Sequence, residues 1–366
     1  MIKLDFERLK SKKFAFKKPE NELLADDLEE LRLQDKLLII DSRTSNEFNK
    51  FRILDSYNFP IQDNDERAII GTLYKEKGQL SAIEKGWELL IPRINQYLDK
   101  LSEFLKKNLK DKKLVIYCSR GGLRSGILSN ILELLGYKPH RLIGGFKEYK
   151  HVLTKYLTQE INSYKGRFII LEGLTGTRKT ELLKKSGLPF LDLEGCAQHK
   201  SSIFGDVGLN PNSQKMFIAR LYEQLIKLRE KQIILIEGEA RRIGNVFLPK
   251  SLWERMQKAK RITITASIKT RVTITTKDYC DKSTKVTQII ERLDRLTKYI
   301  GKSNVQELIT QFKNKEFNTA IEWLLTNYYD KCYKFAKNKN EISICTDNLD
   351  VAIKELNKIY EKLISN

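Results

Sequence analysis

Short, fully apolar runs alternate with amphipathic stretches along this chain and outline its elements before any chemistry is considered. Leu37–Asp41 (LLIID) reads as a strand after an acidic helical stretch around residues 21–33. Residues 113–118 (KLVIYC) read as a second strand. A glycine-rich turn leads from it into residues 125–136 (SGILSNILELLG), whose apolar spacing predicts a helix closed by Gly136. Residues 141–145 (RLIGG) predict a short strand and turn ahead of a helix over 146–157. Then the pattern restarts. Arg167–Glu172 (RFIILE) is a strand, 173–180 a glycine-containing loop and 181–186 the opening of a helix; 218–230 is amphipathic, and 232–237 (QIILIE) is again fully apolar. Strands alternating with helices in both halves predict two α/β units with mostly parallel sheets, residues 1–160 and 161–366.

Composition agrees with a folded two-domain chain. At 366 residues, 41% hydrophobic and 31% charged, it is too apolar to remain disordered. No apolar run approaches the roughly 18 residues of a membrane span, and the first residues (MIKLDFERLKSKK) carry no apolar signal-peptide core, so a cytoplasmic protein without a membrane partner is expected. The net charge is +20, and its distribution changes the picture. Residues 1–165 hold 31 basic and 24 acidic side chains, net +7; residues 166–366 hold 36 and 23, net +13. Ten basic residues and one acid fall within 241–277, a density that points to a polyanion such as nucleic acid. Residues 328–339 (YYDKCYKFAKNK) interleave aromatics with lysines, a pattern that suits phosphate contacts with base stacking and equally suits an exposed helix. Five dispersed cysteines without a C-x-x-C pair, and His199 alone in its loop, support neither a disulfide framework nor a metal centre.

One cysteine stands apart. Cys118 ends an apolar strand and opens Cys-Ser-Arg-Gly-Gly-Leu-Arg-Ser before a helix, the place where open α/β sheets bind ligands. Backbone N–H groups, the positive end of the helix, and the guanidinium groups of Arg120 and Arg124 would all favour its thiolate. Gly121 and Gly122 let the loop curl around an anion. The second loop, Gly173-Leu-Thr-Gly-Thr-Arg-Lys-Thr180, has the strand-to-helix setting of a P-loop. Residues Gly173, Thr175, Gly176, Thr177, Arg178, Lys179 and Thr180 would wrap a phosphate, with Lys179 on its terminal oxygens and Thr180 placed for Mg²⁺. Arg178 replaces the second fixed glycine, so its Cβ should resist a glycine-only backbone angle. The next apolar strand ends Ile-Glu237-Gly-Glu239-Ala-Arg-Arg. The two carboxylates share one side; Glu237 is the stronger candidate for ordering a metal or nucleophile, and Glu239 divides evenly between that role and pairing with Arg241 or Arg242.

The stretch Asp41-Ser-Arg43, the Cys118 loop and Gly144-Gly145-Phe146 together resemble a rhodanese-type domain. With Asn64-Asp-Glu-Arg-Ala, Gly71-Thr-Leu-Tyr-Lys, Asp192-Leu-Glu-Gly, His199-Lys-Ser-Ser-x-Phe-Gly205, Glu237-Gly-Glu-Ala-Arg-Arg-Ile-Gly244, Leu248-Pro249 and Tyr328-Tyr-Asp330, the chain resembles the tRNA 2-selenouridine synthases. That resemblance implies an N-terminal rhodanese-like parallel-sheet domain followed by a P-loop NTPase-like α/β domain. It also implies a two-step reaction on tRNA that carries 2-thiouridine at the wobble position. Geranyl diphosphate alkylates the sulfur, and selenium from selenophosphate then replaces it, with Cys118 as the selenium carrier. The P-loop would hold the diphosphate, Mg²⁺ is a candidate ion, and a selenophosphate-producing enzyme is a candidate partner. The threonine-rich stretch 264–280 departs from the more acidic helical stretch expected there. Two other readings keep parts of the pattern: a rhodanese-type sulfurtransferase fused to a kinase-like P-loop domain, which has no use for the basic cluster, and a non-catalytic tRNA-binding protein, which would tolerate loss of Cys118 and Lys179.

Overall fold

A computed structural model describes residues 21–332 and 342–365. The first thirteen residues and the later part of the aromatic and lysine stretch, 333–339, lie outside the described residues. The chain divides into two compact units between Lys155 and Tyr156.

The first unit is built on five parallel strands: β1 (Glu22–Leu23), β2 (Leu37–Asp41), β3 (Ser56–Asn58), β4 (Lys113–Tyr117) and β5 (His140–Leu142), in the order β1-β5-β4-β2-β3. The apolar runs at 37–41 and 113–117 became the two inner strands because both faces are covered, and β2 is buried along its whole length. Leu38, Ile40, Leu114 and Ile116 pack on one side with Leu101, Leu105, Leu128 and Leu132 from the helices Ile94–Asn108 and Leu123–Leu134. The second helix stops where expected. Gly136, at φ +86°, takes the left-handed position beyond its last turn. The acidic stretch near residue 21 holds a two-residue strand, β1, ahead of its helix Ala25–Leu33; a strand that short leaves no periodicity to read.

The second unit has five parallel strands as well: β6 (Arg167–Glu172), β7 (Phe190–Leu191), β8 (Ile233–Glu237), and, after a two-stranded antiparallel ribbon of β9 (Arg242–Ile243) and β10 (Val246–Phe247), β11 (Lys260–Thr265) and β12 (Ile342–Cys345). Their order is β12-β11-β6-β8-β7. β6 lies in the middle, and the chain winds first to one side of it and then to the other. The loop after β6 therefore leaves at the switch point of the sheet, where ligands bind in such folds. A helical group, Ile268–Cys280, Ser283–Leu293, Lys302–Lys313 and Phe317–Leu324, packs around Val272, Leu293, Leu308, Phe312 and Leu324. The threonine-rich stretch is part of it. Ser267 caps its first turn by accepting from the Thr270 N–H at 3.3 Å, and burial of Val272 and Thr275 overrides the weak helix propensity of β-branched residues. Among the described residues no helix is long and apolar enough to cross a membrane.

Candidate functional site

Cys118 follows β4, and its loop is closed from behind by the turn after β5. The Phe146 and Lys147 N–H groups donate to the carbonyls of Cys118 and Ser119 at 2.9 and 3.0 Å. A Cβ on Gly145 would lie 2.4 Å from the Cys118 carbonyl oxygen and 2.4 Å from the Gly121 nitrogen, so only glycine lets the two loops meet. The Cys118 sulfur accepts from the Gly122 N–H at 3.2 Å and lies 3.2 Å from the Ser125 hydroxyl. It is 3% exposed, at the foot of the helix Leu123–Leu134. All five cysteines are free thiols.

The guanidinium groups are arranged differently from the sequence expectation. Arg124 turns to Glu47, 2.5 Å from one carboxylate oxygen, and donates to the Ser119 hydroxyl at 2.9 Å. Its charge holds the Cys118 loop to the helix Ser45–Lys50 and makes no hydrogen bond to the sulfur. Arg120 is exposed and forms no ion pair among the described residues. Asp41 and Arg43, both buried, form a bidentate pair, and the Arg43 guanidinium lies 4.0 Å over the Phe146 ring while donating to the Phe51 carbonyl. These two residues brace the turn behind the cysteine.

Glu47 links this loop to pH. Burial alone would raise its carboxyl, but the Arg124 hydrogen bond and charge, the Ser119 hydroxyl and the Thr44 N–H outweigh burial and hold it down from 4.5 to about 2. A depressed carboxyl stabilises the fold above its unfolded value and loses that contribution as pH falls. The urea midpoint of the wild-type protein should therefore drop between about pH 4.5 and about pH 2 by more than that of Glu47→Gln. Parallel curves for the two proteins would show that the pair contributes nothing.

The phosphate loop follows β6. Gly176 has φ +81°, and an added Cβ would meet the Thr275 hydroxyl at 2.8 Å and the Arg271 carbonyl at 3.0 Å. Arg178, expected to resist such an angle, takes it: φ 58° and ψ 23°, the left-handed region, which costs an L-residue about 1–2 kcal/mol. Its side chain bends away to Glu181, with Nε 2.9 Å from the carboxylate. The loop keeps its shape without the glycine, and the extra charge is paired. Lys179 Nζ donates to the carbonyls of Gly173 and Leu174 at 2.8 and 3.2 Å, while the Thr177 hydroxyl donates to Leu174 at 2.8 Å. From the helical group, Arg271 donates to the Thr175 carbonyl at 2.8 Å and forms a bidentate pair with Asp330 at 2.9 and 2.5 Å. Asp330, the last residue of the Tyr328-Tyr-Asp330 signature, thus reaches the phosphate loop through a single arginine.

β8 is hydrogen-bonded to β6, so Glu237 at its end stands beside the start of the helix Lys179–Ser186, next to Thr180. Glu239 shares its side and lies near Ser201; neither carboxylate meets Arg241 or Arg242, and Arg242 donates instead to the Gly244 carbonyl at 2.7 Å. A third carboxylate, Glu194, comes from the short helix Leu193–Ala197 and accepts from the Ser201 N–H at 2.8 Å. One oxygen from each of the three lies within 4.8 Å of the others. Burial raises all three carboxyls above the usual range; the charge of Glu239 adds to it at Glu237, both add to it at Glu194, and Lys179 pulls the other way. Sequence reasoning missed Glu194, although it lies within the quoted Asp192-Leu-Glu-Gly signature. Nothing local marks it, because the loop that carries it is placed by sheet order. His199 packs its ring against Gly205 and Gly244 and is outside the carboxylate group.

The basic cluster at 241–277 is smaller as a surface than as a sequence. Arg255 donates to the Ile161 and Gly166 carbonyls and covers the Phe168 ring, Arg261 pairs with Glu172 at 2.8 Å, and Arg271 is buried. Arginine, with its planar fork, is drawn into internal pairs that a charge count cannot foresee. Arg241, Arg242, Lys250, Lys258, Lys260, Lys269 and Lys277 remain exposed.

A buried cysteine in a backbone cradle on one parallel sheet, and a phosphate loop flanked by carboxylates on another, define a rhodanese-like domain followed by a P-loop α/β domain. Comparison with known proteins agrees. Residues 24–151 match the rhodanese-like domain, and residues 166–362 match the tRNA 2-selenouridine synthase AAA domain. The tRNA 2-selenouridine synthase of Nitrosomonas eutropha is 28% identical over 84% of this chain and 90% of its own length. Those of Marinobacter nauticus and Shewanella woodyi are each 31% identical, over 85% and 81% of this chain and 90% and 87% of theirs. The chain belongs to the tRNA 2-selenouridine synthase family.

Proposed function

We propose that this protein is a tRNA-modifying transferase that replaces the sulfur of wobble 2-thiouridine with selenium. The observation that carries the reading is the Cys118 sulfur, seated on the Gly122 N–H at the end of β4, in a chain that also holds a P-loop and matches the synthase family over most of its length. Two sites suit two half-reactions. At the P-loop, geranyl diphosphate passes its geranyl group to the thiouridine sulfur and diphosphate leaves. Lys179 gives up the Gly173 and Leu174 carbonyls for the diphosphate oxygens and stabilises the charge that develops there. Arg178, already left-handed and paired with Glu181, leaves the loop N–H groups free to point at the anion. Mg²⁺ fits the oxygen donors of Thr180 and Glu237 and supplies further positive charge when bound. At the Cys118 loop, the selenium of selenophosphate, held against the Cys118 sulfur, attacks C2 of the geranylated base; geranylthiol leaves, and water takes the phosphoryl group away as phosphate. The exposed lysines and arginines between Arg241 and Lys277 give the tRNA backbone a positive surface. The reaction belongs in the cytoplasm, alongside tRNA and an enzyme that makes selenophosphate.

Nucleoside mass analysis of tRNA from cells with and without this protein tests the reading. The expected result is 2-selenouridine in the first and only 2-thiouridine in the second. Identical profiles would overturn it in favour of a sulfurtransferase acting on small molecules or a non-catalytic tRNA-binding protein.

A further inference from the structure

Three carboxylates converge at the ends of separate elements: Glu237 on β8, Glu239 just beyond it, and Glu194 on the helix Leu193–Ala197. Acidic residues often gather without a ligand, so the cluster alone decides nothing. A second observation does. Glu237 is 2% exposed, and its Oε1 is buried without a hydrogen-bond partner. A buried carboxylate oxygen without a partner forfeits its hydration for nothing in return. Among the described residues none of the ion pairs involves any of the three carboxylates, and Lys179 spends its ammonium on two loop carbonyls.

We propose that Glu194, Glu237 and Glu239 form a binding site for one hard divalent cation, filled before any phosphate ligand arrives. The spacing fits. Oxygens on opposite sides of a cation with metal–oxygen distances of about 2.1 to 2.4 Å stand about 4.2 to 4.8 Å apart, and the carboxylate oxygens lie within 4.8 Å of one another without rearrangement. The donors are all oxygen, which selects Mg²⁺ or Mn²⁺ over the softer metals that seek nitrogen or sulfur. One part of the second ligand shell is in place: Ser201 holds Glu194 through its N–H, at 2.8 Å. A cation held only by Thr180 and Glu237 would depend on phosphate oxygens to complete its shell. Three carboxylates make the affinity intrinsic to the protein, and Glu194 is the residue that creates the difference.

The proposal stands on this geometry and not on the substrates named above, so it can fail while they hold. The experiment uses full-length protein freed of metal by chelation, with no tRNA, phosphate or diphosphate present. It follows free Mn²⁺ by its electron paramagnetic resonance signal during titration. One Mn²⁺ should bind per chain and be displaced by Mg²⁺, and Glu194→Gln and Glu239→Gln should each weaken it by at least about tenfold. The thermal midpoint of the unaltered protein should rise with Mn²⁺, a readout that needs no variant. Absence of both Mn²⁺ binding and this rise without a phosphate ligand, or binding unchanged in a folded Glu194→Gln protein, overturns the site.

Discussion

Cys118→Ala is expected to lower 2-selenouridine in tRNA by at least about 10³-fold, to background, because no other side chain at the loop replaces the sulfur proposed to hold the selenium. Cys196 and Cys280, whose thiols burial pushes up, and Cys332 and Cys345, both exposed, have no such loop around them. The substitution is small. It leaves the Gly122 N–H without its acceptor but keeps the turn that Gly145 and Phe146 form behind the loop. The expected nucleoside profile is therefore specific: S-geranyl-2-thiouridine persists or accumulates, since alkylation is assigned to the other site, while the selenated product disappears. Cys332→Ala, which alters an exposed thiol, should leave both nucleosides at wild-type levels. Wild-type selenation by Cys118→Ala would remove the cysteine from the reaction, and loss of both nucleosides would mean that the two half-reactions are not divided as proposed.

Lys179→Ala should act on the other half-reaction. An ammonium aimed at a leaving diphosphate is worth about 10²–10³ in rate, the scale seen when one preorganised donor is removed from a developing oxyanion. A fall of about that size in S-geranyl-2-thiouridine formation is expected, with weaker binding of inorganic pyrophosphate. Lys179 also ties Gly173 to Leu174 in the free protein, so a slack loop could imitate the loss of a charge. Lys179→Arg separates the two. It restores a cation with a different reach and geometry, so it should recover pyrophosphate binding better than the rate. When supplied with tRNA already geranylated, Lys179→Ala should selenate it at the wild-type rate. An unchanged geranylation rate in Lys179→Ala would take this loop out of the diphosphate site.

Both candidate loops were legible in the sequence because each is local. An apolar strand, a short loop rich in glycine and a helix start follow one another without interruption at Cys118 and at Gly173, and backbone geometry over about ten residues sets the position of the functional atoms. Side-chain partners were less legible. Arg124 lies six residues from the cysteine, yet Glu47, on the helix Ser45–Lys50 that follows the neighbouring strand β2, claims it. Arg178 was expected to strain the phosphate loop, but a left-handed arginine with a carboxylate three residues on is a tolerable substitute for glycine. In the basic cluster, three arginines satisfy carbonyls and carboxylates inside the unit, and the exposed remainder is mostly lysine.

By itself the sequence determined the two α/β units, the cysteine loop, the phosphate loop and the family, because hydrophobic period and turn chemistry act between residues close along the chain. Only the tertiary structure decided which charges are spent and which converge. The order β12-β11-β6-β8-β7 sets Glu237 against Thr180 and brings Glu194 to it across more than forty residues of chain, while Asp330 closes on Arg271 across 59. Those meetings are set by which strands pair and which helix covers them, and a charge buried there takes the partner that geometry supplies.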